Sequence, residues 1–170
     1  MTPSIPAYPN LLRPGSPVLL SESYAATFGR SDGIVFDCGN EKARVAYHED
    51  FRPALIPLVD LRLSLATDTG MCHAARWLAE QLGMDPGATA PGWAQYPCGE
   101  HCCNGETGEM AACTRPVWSL GTDEGFVLFM DCPNPEAWDG EECRHVPGIG
   151  DLTDPAAALA AACMVVGGAS

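Results

Sequence analysis

The sequence predicts an α+β fold: a mainly antiparallel sheet of about 5–6 strands built from hairpins, packed by two helices and interrupted by a Cys-rich loop. Three observations carry this expectation. Val59, Leu61, Leu63 and Leu65 alternate with Asp60, Arg62 and Ser64, the period of a half-buried strand. Asp68 to Met84 carries Met71, Ala75, Leu78 and Leu82 at i, i+4, i+7 and i+11, one apolar stripe at helical spacing. β-Branched and aromatic runs come in pairs around short polar turns, whereas the βαβ alternation and glycine fingerprint of a dinucleotide site are absent.

Residues 1–16 are Pro-rich and read as an extended arm ahead of a single domain over 17–170. Pro17 to Ser21 is a first strand. Gly33–Cys38 and Ala43–Tyr47 form a hairpin with Gly39-Asn40 at its turn. The central helix runs over about 69–83, with Asp68 or Thr69 as N-cap and Gly83 at the left-handed stop. Asp85 to Gln95 is a loop by its Pro and Gly content. Val117–Leu120 and Phe126–Met130 make a second hairpin around 121–125, and Asp131 to Gly150 reads as irregular. The C-terminal helix covers about 155–166, with Asp154 as cap, Pro155 at the first helical position and Gly167 as stop.

A chain of 170 residues buries about two-thirds of its unfolded surface, and 46% hydrophobic residues exclude a disordered composition. No apolar run reaches membrane-spanning length. The N-terminus lacks a basic region ahead of an apolar core, so it does not read as a signal peptide and a cytoplasmic setting is expected.

Charge is unevenly spread. The net charge is −13, of which residues 1–76 contribute −1 and residues 77–170 contribute −12, with Arg115 and Arg144 the only bases in the second stretch. Such a field repels nucleic acid and anionic membranes and attracts basic surfaces. No direct nucleic-acid binding is expected on this ground. The acids are interleaved with the aromatics Trp93, Tyr96, Trp118 and Trp138, a pattern that suits an interface with a basic protein surface. Its candidate contacts are Glu100, Glu106, Glu109, Asp123, Glu124, Asp131, Glu136, Trp138, Asp139, Glu141 and Glu142.

Of nine cysteines, Cys38, Cys72 and Cys163 sit among apolar neighbours and read as small hydrophobes. The other six fall in loop-like sequence. Pro97 to Cys113, PCGEHCCNGETGEMAAC, concentrates Cys98, His101, Cys102, Cys103 and Cys113. Zinc takes four soft or borderline ligands in a tetrahedron, and short spacings place two thiolates on one turn of chain. One structural zinc on Cys98, Cys102, Cys103 and Cys113 is the metal expectation, with Cys132, Cys143 or His145 as substitutes for the fourth ligand. A loop of reduced thiols and a disulfide such as Cys98–Cys113 are the alternatives.

Cys72-His73-Ala74-Ala75 and Pro97-Cys98-Gly99-Glu100-His101-Cys102 superficially resemble the H-x-E and P-C-x-x-C motifs of zinc deaminases. Ala75 stands where that family needs its proton-shuttling Glu, and three residues instead of two separate Cys98 from Cys102. Without the carboxylate, a zinc-bound water lacks its general acid/base.

Size, acidity and the lack of catalytic signatures point to a small non-enzymatic protein that binds a basic partner. Accessory proteins of phages or mobile elements, including inhibitors of nucleic-acid-handling enzymes, are the expected class. The alternatives are a zinc-dependent hydrolase or deaminase-like enzyme using Cys98, Cys102 and His73, and a structural assembly component.

Overall fold

The computed structural model describes residues 2–47, 52–87, 91–99, 113–131, 142–146 and 153–168. Within them the architecture is α+β, with ten strands in two mainly antiparallel sheets and three helices. The chain divides into two compact units, residues 1–77 and 78–169.

The first unit holds a six-stranded sheet. Its strands are β1 (Ser4–Pro6), β2 (Pro17–Leu20), β3 (Asp32–Cys38), β4 (Lys42–Ala46), β5 (Ala54–Pro57) and β6 (Leu61–Ser64), in the order β1-β6-β2-β3-β4-β5. All pairings are antiparallel. The hairpin β3–β4 closes where the Gly39 N–H donates to the Lys42 carbonyl at 2.9 Å, at the turn the sequence marks. Period-two alternation sorts the side chains by face. Ile5, Val18, Val35, Val45, Ile56 and Leu63 are buried, whereas Ile34, Phe36 and Leu55 are exposed.

The Pro-rich start consists of the short strand β1 followed by turns, and it is tied to its own unit. Ser4–Pro6 pairs along β6, Leu11 and Leu12 are buried, and the Tyr8 ring stacks on Trp77 with centroids 5.1 Å apart. The Trp77 indole N–H donates to the Pro9 carbonyl at 3.0 Å. Between β2 and β3 lies α1 (Glu22–Phe28), a helix the sequence reading omits; it buries no side chain and ends at left-handed Gly29.

The strand expected over 59–65 is shorter. Leu58–Asp60 forms a 3-10 turn, and Val59 is 92% exposed. Topology explains the difference. The chain leaves edge strand β5 and must cross to β6, which pairs with β1 and β2 on the far side of the sheet, and the turn begins that crossing.

The central helix α2 spans Asp68–Gln81. Its cap is Thr67, one residue before the expected Asp68 or Thr69, because the Gly70 N–H reaches Thr67 Oγ1 at 3.2 Å. Its end is a Schellman motif: the Met84 N–H donates to the Ala79 carbonyl at 2.9 Å and the Gly83 N–H to the Glu80 carbonyl at 3.1 Å, with Gly83 at φ 73°.

In the second unit, β7 (Gly92–Pro97), β8 (Pro116–Thr122), β9 (Gly125–Met130) and β10 (Glu142–His145) form a sheet ordered β10-β9-β8-β7, with β10 parallel to β9. β7 takes in Gly92 to Gln95, which the sequence reads as loop. Pro97 faces Pro116 across the ladder, and the neighbouring Cys98 N–H donates to the Arg115 carbonyl at 2.9 Å. The two prolines therefore occupy a non-hydrogen-bonded pair, where no N–H is required between β7 and β8. On one face of this sheet Trp118 stacks on Trp93 with centroids 5.3 Å apart, and Trp93 packs against Phe129. Trp118, expected at a surface, is 3% exposed and belongs to the core. The last helix, α3 (Pro155–Gly167), has the expected start: Asp154 Oδ1 accepts from the Ala156 N–H at 3.0 Å, and Pro155 opens the first turn. Its residues 158–163 are buried, as a helix apolar on all sides requires. No helix among the described residues is long and apolar enough to cross a membrane.

Candidate functional site

Strand direction decides what gathers at each end of the second sheet. β7 ends, β8 begins, β9 ends and β10 ends on one side, because β7 and β8 are antiparallel, β8 and β9 are antiparallel, and β9 and β10 are parallel. Cys98 follows β7 directly and Cys113 precedes β8 by three residues. Both are buried, and they form one cluster with Val117, Leu128 and Met130. Backbone and side-chain hydrogen bonds hold the geometry of this end. Cys98 N–H donates to the Arg115 carbonyl at 2.9 Å, Gly99 N–H to the Cys113 carbonyl at 2.8 Å, and Val146 N–H to the Met130 carbonyl at 3.0 Å. The guanidinium of Arg115, the residue before β8, donates to the Asp131 carbonyl at 3.0 Å.

Of the four residues expected to hold zinc, Cys98 and Cys113 are thus brought together, while Cys102 and Cys103 lie outside the described residues. Among the described residues no group of three or more His, Cys, Asp or Glu side chains is arranged for a metal ion. By backbone register Cys143 pairs with Leu128 and His145 with Met130.

The opposite end of the same sheet is the β8–β9 turn, and it is acidic. Asp123 and Glu124 form the turn and are exposed. Glu124 Oε2 accepts from the Asp85 N–H at 2.9 Å, and Asp85 Oδ1 accepts from the Gly87 N–H at 2.9 Å, so three carboxylates share this edge. Each spends an oxygen on local backbone or faces solvent. Phe126 stands beside them, 47% exposed, and was not among the aromatics that composition singled out. Its signal was its place two residues past the turn, opposite Gly121, where no larger side chain covers it. The second unit has two bases: Arg115 immediately precedes β8 and Arg144 stands one residue before the end of β10, so both lie toward the cysteine end.

The expected partner contacts therefore separate. Asp123 and Glu124 lie at the turn; Asp131 lies at the far end of β9, about 20 Å away at strand rise. Glu142 opens β10 opposite Val127. Glu100, Glu106, Glu109, Glu136, Trp138, Asp139 and Glu141 lie outside the described residues.

The first unit holds two further features. A groove of about 630 Å³ is lined by Pro6, Leu20, Leu58, Leu61 and the polar Asn40 and Arg62, and its lining contains neither His nor Cys. Elsewhere in this unit, buried Ser16 places Oγ 2.8 Å from His73 Nδ1 and accepts from the Arg13 N–H at 2.9 Å. Since that oxygen already accepts one hydrogen bond, its own hydrogen is available to the imidazole. Burial lowers the His73 pKa below 6.5, and Arg13 and Arg76 lower it further. His73 is an anchor between helix α2 and the N-terminal segment, and a fully buried hydroxyl is poorly placed as a nucleophile. No protein-family model matches the chain, and no curated protein or solved structure is significantly similar to it.

Proposed function

We propose that the chain acts as a binding protein, its second unit meeting a basic surface of a partner protein. The observation that supports this reading is the coincidence of two divisions. The chain separates into compact units between Trp77 and Leu78, and almost the whole negative charge lies beyond that point: −12 of −13. Within the second unit the β8–β9 turn is the focus, because Asp85, Asp123 and Glu124 gather at the turn that leads into exposed Phe126, while both bases sit at the other end. Carboxylates around one large apolar anchor give orientation and fast encounter from charge, and residence from the ring.

The test is affinity capture from an extract of the producing cells, followed by carboxylate-directed cross-linking. A basic protein retained at low salt, released at high salt, cross-linked within residues 85–131, and lost with the combined variant Asp123→Asn, Glu124→Gln, Phe126→Ala supports the reading. Retention that is insensitive to salt, or cross-links confined to residues 1–77, overturns it.

A further inference from the structure

We propose that the groove of the first unit binds a small amphiphilic amine, with the Glu41 and Asp60 carboxylates holding its protonated nitrogen and the apolar walls taking its body. The lining lies wholly within residues 1–77, so this site stands or fails apart from the partner reading above. Its volume of about 630 Å³ falls in the range of small-molecule sites, about 300–1,000 Å³. A second cavity of about 250 Å³ shares Pro9, Asn40 and Leu58 with it, so the two adjoin.

The walls are formed by regular structure. Leu20 and Leu61 face each other across the β2–β6 ladder and are both buried, which gives the groove an apolar floor. The Leu58 N–H donates to the Glu41 carbonyl at 2.9 Å, and the Ser21 N–H donates to the Asp60 carbonyl at 2.9 Å. These two bonds seat the 3-10 turn against the β3–β4 turn on one side and the end of β2 on the other. Val59, in the same turn, lines the groove while remaining almost wholly exposed, so an apolar guest would cover a side chain that the chain itself leaves bare.

Charge selects the guest. Among the described residues neither the Glu41 nor the Asp60 carboxylate has a hydrogen-bond or ion-pair partner. The cation of the lining, Arg62, is directed to β1: its Nε donates to Ser4 Oγ and its Nη2 to the Ser4 carbonyl, both at 2.9 Å. Two carboxylates against one guanidinium leave the lining net negative, which disfavours an anionic guest. A wholly apolar guest would strip water from the carboxylates and return no bond. An ammonium group carries three N–H donors, enough for both acids. No described lining residue is aromatic, so a cation here meets carboxylate and not a ring face. Glu41 is exposed and Asp60 half-buried, so the charges set the preference while the apolar body supplies most of the affinity.

The experiment titrates the full chain with octylamine, octanol and octanoate and follows side-chain methyl resonances. Octylamine should shift Leu20, Leu58, Val59 and Leu61 saturably and bind about fivefold or more tightly than octanol, with octanoate weakest. The combined variant Glu41→Gln, Asp60→Asn should keep the wild-type methyl spectrum and bind octylamine no better than octanol. The three-ligand comparison on the wild-type chain decides the matter even where the variant misfolds. The proposal is overturned if the four methyls do not respond, or if octanol or octanoate binds as tightly as octylamine. It is equally overturned if a folded variant retains the amine preference, or if the octylamine shifts fall only in the acidic second unit.

Discussion

Ser16 Oγ lies 2.8 Å from His73 Nδ1, fifty-seven residues along the chain, and ties the segment before β2 to helix α2. The hydroxyl serves two partners, since it also accepts from the Arg13 N–H. Ser16→Ala removes both bonds at a fully buried position, and a loss of about 1–3 kcal/mol in unfolding free energy is expected. The same contact carries a pH dependence. Burial first, then Arg13 and Arg76, depress the folded pKa of His73 below its ordinary 6.5. The unfolded chain then binds more protons than the folded chain as pH drops through 6.5, so stability falls on acidification until the folded pKa is passed. Urea midpoints between pH 8 and 5 should decline more steeply for the wild-type chain than for His73→Asn. Parallel curves would show that His73 is not the group responsible.

Gly70, in the first turn of helix α2, and Gly83, just past its end, should respond to alanine for different reasons. A Cβ at Gly70 overlaps the carbonyl oxygen of Ser64 and lies 3.2 Å from Pro17 Cγ. Alanine gains about 1 kcal/mol of helix propensity there, but forcing backbone apart in a packed site costs about 1–3 kcal/mol or more, so the overlap decides the sign. At Gly83 nothing stands within 4 Å, and only the φ of 73° is unfavourable. Gly70→Ala should lower the unfolding midpoint clearly more than Gly83→Ala, measured under one set of conditions.

Local chemistry made several elements legible. The helix α2 stripe, its Gly83 stop, the Asp154-Pro155 start of α3 and the Gly39-Asn40 turn depend on neighbouring residues and could be read without the fold. β7 could not, because GWAQYP looks like a turn until Pro97 is seen opposite Pro116. Helix α1 buries nothing, so it leaves no apolar stripe to detect. The cysteine end was half legible. Sequence spacing groups Cys98 with Cys113, whereas the parallel pairing of β10 with β9 is encoded by no local pattern. The acids at the β8–β9 turn and Asp131 look continuous along the chain, yet a strand length separates them.

Cys163 should be the least reactive of the thiols whose burial is described. It is fully buried in α3, and burial pushes its pKa up to about 12, so the nucleophilic thiolate is scarce at neutral pH. Alkylation of the native chain at pH 8, followed by peptide mass analysis, should leave Cys163 unmodified while half-buried Cys72 and Cys38 are modified. Cys38 should react more slowly than a small-molecule thiol at that pH, since burial and the neighbouring Asp37 both raise its pKa. Cys163 should become reactive only in denaturant. Rapid labelling of Cys163 under native conditions would mean that α3 opens without global unfolding.

The two faces of the first sheet supply the sharpest contrast. Ile56 is fully buried, while its neighbour Leu55 is 58% exposed, and Phe36 beside the bulge in β3 is 62% exposed. Ile56→Ala removes packed methylenes and should cost about 2–5 kcal/mol. Leu55→Thr and Phe36→Thr keep a strand-compatible side chain and forfeit little burial, so each should shift stability by no more than about 0.5 kcal/mol. They should also reduce self-association, because they dilute an apolar area that includes Ile34. Chemical denaturation and sedimentation of the three variants check both expectations. If Phe36→Thr proved as costly as Ile56→Ala, the outward orientation of Phe36 would be wrong, and the bulge between Val35 and Asp37 would have to turn the ring inward.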